Sequence, residues 1–114
     1  MGGRGSASGM HNNETQLKGT DKQINWGKEI KQTMQKGISA LEDKQAKRRA
    51  FAELKNEYEM SGHLKTLNKD IKKAFNKIDS AKWFIDNRNI TRNPNWYIDL
   101  SRAVIEEKKL FKKK

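Results

Sequence analysis

Binding of phosphate requires several cations held on one side of a rigid element, and one stretch of this chain has the spacing for it. Lys65, Lys69, Lys72, Lys73 and Lys77 fall between Leu64, Leu67, Ile71, Ala74, Phe75 and Ile78. The apolar set recurs at i, i+3, i+4 and i+7, the period of an amphipathic helix. Such a helix buries one face and offers the other to an anion. Lys44, Lys47, Arg48 and Arg49 form a second basic cluster, Arg88 and Arg92 a third, and Lys108, Lys109, Lys112, Lys113 and Lys114 a terminal one. Clusters of this kind neutralise phosphates and release condensed counterions, which predicts salt-sensitive, sequence-independent binding to DNA or RNA. The same residues also serve simply to keep a small helical protein in solution. Lys outnumbers Arg, which argues against bidentate reading of guanine. The expected contact set is Lys69, Lys72, Lys73 and Lys77, supported by Arg48, Arg49, Arg88 and Arg92.

Acid–base catalysis needs titratable groups that converge in a cleft, and there is little to supply them. Of the two histidines, His11 falls in a Gly- and Asn-rich leader and His63 at a helix start beside Gly62, where a turn or capping role is expected. Glu53, Glu57 and Glu59 lie near Lys55 and Arg49, a pattern that predicts surface ion pairs. There is no metal-ligand spacing, Gly-rich phosphate loop or nucleophile elbow. The expectation is a binding protein, not an enzyme, with no cofactor and no metal.

Trp83-Phe84-Ile85-Asp86-Asn87-Arg88-Asn89 mixes aromatic and hydrogen-bonding residues over a short span. Three consecutive large apolar side chains cannot all face one narrow core stripe, so at least one is expected at the periphery. Asn87, Arg88 and Asn89 would then be placed to meet a base, a phosphate or a partner's carboxylate. Trp96-Tyr97 carries the same two readings, packing against Trp83 or stacking on a base.

The elements that position these residues follow from composition and period. With 114 residues, a net charge of +11 and 33% hydrophobic residues, one domain with a small aromatic-rich core is expected. Cysteine is absent, which excludes disulfides and thiolate chemistry. No apolar run approaches the roughly 20 residues of a membrane span, and no signal-peptide pattern follows Met1. A cytoplasmic location is expected, with no membrane partner.

Residues 1–19 are expected to form a flexible leader and 20–114 a single helical domain. Thr20 and Gln23 fit a capping box that opens the first helix. Gly27 and Gly37 each cost a helix about 1 kcal/mol relative to Ala, which suggests close packing or a bend. The pattern runs to Tyr58, as one long helix or two. Ser61-Gly62 ends it, His63 opens the Lys-rich helix, and Asp79 or Ser80 recaps a short one. Asn87 to Asn93 is a loop by composition. Asn93-Pro94 starts a last helix that carries Trp96, Tyr97, Leu100, Val104, Ile105 and Phe111. No strand alternation appears over a useful length. The expected fold is all-α, a small bundle of three to four helices, monomeric or homodimeric.

The leader Met1-Gly2-Gly3-Arg4-Gly5-Ser6-Ala7-Ser8-Gly9 resembles the opening of many proteins of Gram-positive phages, prophages and mobile elements. Lys22-Gln23-Ile24-Asn25-Trp26 and Ala81-Lys82-Trp83-Phe84-Ile85-Asp86-Asn87-Arg88 are similar to a helical module in uncharacterised proteins of that origin. The resemblance implies a phage- or mobile-element-encoded protein of the host cytoplasm. It also implies an alternative to nucleic-acid binding: inhibition of a host defence system, anti-CRISPR-like, through a host protein or ribonucleoprotein partner.

Overall fold

The computed structural model describes residues 16–41, 44–60 and 62–114. The expected leader up to residue 15, His11 included, lies outside them, as do Glu42, Asp43 and Ser61. The chain order is α1 (Asp21–Ala40), α2 (Lys44–Glu57), β1 (Tyr58–Glu59), α3 (Leu64–Asn76), α4 (Ala81–Asp86), a 3-10 helix (Arg88–Arg92), α5 (Trp96–Lys108) and β2 (Lys112–Lys113). The fold is largely helical. Five α-helices are described, not three to four, because the 21–58 pattern divides into α1 and α2 and Ser80 recaps α4. The Ser80 hydroxyl accepts from the Trp83 amide at 3.1 Å.

Side-chain caps open α1 and α4. In front of α1, Thr20 and Gln23 form the expected capping box. The Thr20 hydroxyl accepts from the Gln23 amide at 3.2 Å, and the Thr20 amide donates to the Gln23 side chain at 3.0 Å. His63 occupies the position before α3 without a side-chain capping bond. The last helix starts later than Asn93-Pro94 suggests, at Trp96, with Asn95 before it. The predicted loop 87–93 winds into the 3-10 helix instead, closed by the Ile90 amide on the Asn87 carbonyl and the Asn93 amide on the Ile90 carbonyl.

α1 packs on α4, and α2 and α3 both pack on α5. Met34, Leu54, Ile71, Phe75, Phe84 and Leu100, each at most 1% exposed, form the centre of the core. The Phe84 ring meets Phe75 and Trp83 edge-on, with centroids 5.6 and 5.0 Å away. As expected for the Trp83-Phe84-Ile85 run, Phe84 is buried while Trp83 and Ile85 are half-buried.

Both ends of the domain differ from the sequence pattern. Leu17, assigned to the leader, is buried in the core, and Lys18 exchanges backbone bonds with residues 79 and 81. The folded unit therefore reaches back at least to Leu17. α5 stops at Lys108 and does not reach Phe111. Lys109 adopts φ 50°, and the Leu110 amide donates back to the Ile105 carbonyl. The reversed chain then pairs antiparallel with β1, Tyr58 opposite Lys113 and Glu59 opposite Lys112. No strand period is visible in sequence because each strand is two residues long.

Candidate nucleic-acid interface

The buried stripe of Leu67, Ile71, Ala74 and Phe75 runs along α3, and its lysines are divided between two cavities. Lys69 and Lys72 line a cavity of about 290 Å³ together with Ile38 and Leu41 of the α1 end, Lys47 of α2, Asn68 and Tyr97. Lys73 and Lys77 line a different cavity, also about 290 Å³, with Asp70, Lys108, Leu110 and Phe111. Lys72 and Lys73 face different cavities, since consecutive residues are turned about 100° apart around the helix axis.

The first cavity is lined by three lysines from two helices together with the apolar Ile38, Leu41 and Tyr97. Ile38 and Leu41 are half-buried and Tyr97 is 5% exposed. Burial pushes the Tyr97 hydroxyl pKa up, so the phenol keeps its proton and donates to Asn68 Oδ1. None of Lys47, Lys69 and Lys72 is in an ion pair among the described residues, and no carboxylate lines this cavity among them. A neighbouring cavity of about 260 Å³ shares Ile38 and Lys72 and adds Gln35, Ser39, Phe75 and Asn76. The two adjoin along a groove between the second half of α1 and α3, where the Gln35 amide donates to Asn76 Oδ1 at 3.4 Å.

Carboxylates gather elsewhere. Arg102 of α5 makes a forked pair with Glu57 at 2.7 and 2.8 Å and also meets Asp99 at 3.3 Å and Glu53 at 3.9 Å. The bond to Arg102 holds the Glu57 carboxyl below its usual pKa. The expected pairing of Glu53 and Glu57 with Lys55 and Arg49 is replaced by this long-range one. On the same side the Tyr58 hydroxyl donates to Glu106. Acid is thus paired around α5, while Lys47, Lys69 and Lys72 form no ion pair among the described residues.

The supporting arginines are dispersed. Arg48 is exposed on α2, and Arg49 lines a small cavity of about 90 Å³ beside Pro94 and Trp96. Arg92 is exposed at the end of the 3-10 helix. Arg88 donates to the Ile85 carbonyl at 2.7 Å and lies 5.1 Å over the Trp26 ring, which is 46% exposed. Its guanidinium is therefore already engaged in part. Trp96 does not meet Trp83; it packs edge-on to Tyr97 and over Gly37.

Reading along the sequence missed Asn68, and although it raised Tyr97 as a residue that packs or stacks on a base, it placed neither Tyr97 nor Lys47 beside Lys69 and Lys72. Only the packing of α2 and α5 against α3 brings them together, and no local spacing signals it. Among the described residues there is no group of three or more His, Cys, Asp or Glu suited to a metal ion. No described helix is long and apolar enough to cross a membrane. No family model, curated protein or solved structure matches the chain.

Proposed function

We propose that this protein binds nucleic acid through backbone phosphates, with the groove between α1 and α3 as its centre. The observation that carries this reading is the convergence of Lys47, Lys69 and Lys72 around one cavity with no carboxylate in its described lining. Cations that line one cavity repel one another, and a polyanion relieves that repulsion while releasing its own counterions. Lys73, Lys77 and Lys108 on the other flank extend the positive field, but Asp70 beside them weakens it. Arg48, Arg49 and Arg92 add long-range attraction, and Arg88 contributes less because it is stacked on Trp26.

Fluorescence anisotropy with labelled DNA and RNA at several salt concentrations tests this. The expected result is a log–log slope of about −0.9 per phosphate neutralised on duplex DNA, or about −0.7 on single strands. The slope is expected to shrink when Lys47, Lys69 and Lys72 are changed together to Gln. Absence of binding at low salt removes the proposal.

A protein partner, as in inhibition of a host defence complex, is the second reading, favoured by exposed Trp26 beneath Arg88. Trp and Arg are the residue types that most often anchor protein interfaces. Loss of partner capture on Trp26→Ala, with nucleic-acid affinity unchanged, is the expected signature of that reading.

A further inference from the structure

We infer that the α1–α3 groove holds a single strand, with an unpaired base over Ile38, Leu41 and Tyr97 and the flanking phosphates on Lys47, Lys69 and Lys72. The inference rests on the nucleic-acid reading above and adds the form of the ligand.

Contact with a duplex backbone needs only cations on an accessible face. This groove has more, since the aliphatic Ile38 and Leu41 and the largely buried Tyr97 line the same cavity as its lysines. Paired bases are stacked inside the duplex and cannot reach such a lining, whereas a base freed from the stack can pack against it and bury apolar area. The cavity volume, about 290 Å³, is near the lower end of the range of small-ligand pockets, which suits one flat ring system better than a helix.

The polar chemistry agrees. Asn68 lines the cavity with one lone pair of its carbonyl oxygen taken by the Tyr97 hydroxyl, and its amide nitrogen carries two N–H donors. Together with three ammonium groups, the described lining presents donors to its occupant, and phosphate oxygens and base carbonyls are acceptors. The adjoining cavity continues the path between α1 and α3. It supplies the side-chain amides of Gln35 and Asn76, one bond between them already made.

The test compares a short labelled oligothymidine with its oligoadenine duplex on the full chain at matched salt. The single strand is expected to bind about tenfold more tightly, the scale of one stacked base. Equal or tighter duplex binding overturns this inference and leaves the nucleic-acid reading standing. No binding of either probe at low salt removes both. Asn68→Asp keeps an oxygen for the Tyr97 hydroxyl but replaces the amide donor with a negative acceptor. It is expected to weaken oligothymidine about tenfold, with the duplex affected less. Unchanged oligothymidine affinity in that variant, with the fold verified by circular dichroism, also overturns the inference. The comparison on the unaltered protein decides the question even if the variant does not fold.

Discussion

Lys72 and Lys73 are neighbours in sequence and line different cavities, Lys72 opening toward α1 and Lys73 toward Leu110 and Phe111. The division follows from the helix itself, because the stripe that buries Ile71, Ala74 and Phe75 leaves a flank on either side. Two exposed residues of equal charge therefore have separable roles.

Single charge reversals separate them. Lys72→Glu is expected to weaken nucleic-acid binding by about tenfold, because it places a carboxylate in a groove of donors. Lys73→Glu, beside Asp70 on the other flank, is expected to cost about twofold, through the long-range field alone. Both should keep the helical circular dichroism of the parent. Equal losses in anisotropy titrations would falsify the assignment of the binding centre to the α1–α3 groove.

The two glycines of α1 are expected to respond in opposite directions to alanine. At Gly27 an added Cβ would stand 3.1 Å from Leu17 Cδ1 and 3.2 Å from the Cα of Ala81, and the α4 backbone yields little. The overpacking outweighs the helix-propensity gain, so Gly27→Ala should lose roughly 1 kcal/mol. At Gly37 the nearest atom is Trp96 Cη2 at 3.5 Å, an ordinary contact. Gly37→Ala should gain roughly 0.5–1 kcal/mol. Urea midpoints at constant slope measure both, and a stabilised Gly27→Ala contradicts the tight α1–α4 crossing.

Alkaline pH should reveal Tyr58. It is 1% exposed, and burial, reinforced by its bond to Glu106, pushes its pKa up to about 12. The fold favours the neutral phenol, so the contribution is complete below the unfolded value of about 10 and is lost as pH rises from there through about 12. The loss should be on the order of 2 kcal/mol. Tyr58→Phe is expected to cost about 1 kcal/mol at neutral pH and to flatten that alkaline decline in thermal melts. A variant that declines as steeply as the parent places the effect on another group.

Ile71→Asp puts a charge at a position 1% exposed, in the centre of the α3 stripe. The expected cost is several kcal/mol, enough to abolish cooperative melting in a domain of this size. Cooperative melting near the parent temperature would show that α3 presents a different face to α5.

Much of the secondary structure was legible because its causes are local. The Thr20–Gln23 box, the Ser80 cap and the Leu67, Ile71, Ala74 and Phe75 stripe all depend on residues within a turn or two of one another. Leu17 was not legible as core, since its burial depends on Gly27 and Ala81, distant in sequence. The turn at Lys109 and the pairing of Lys113 with Tyr58 were hidden for the same reason. The sequence by itself determined that the protein is basic, largely helical and equipped with an amphipathic α3. Which lysines act together was decided only by tertiary packing: the period of a helix records its own buried face, whereas Lys47, Lys69 and Lys72 meet because α2 and α5 dock against α3, and that docking leaves Asn68 and Tyr97 beneath them.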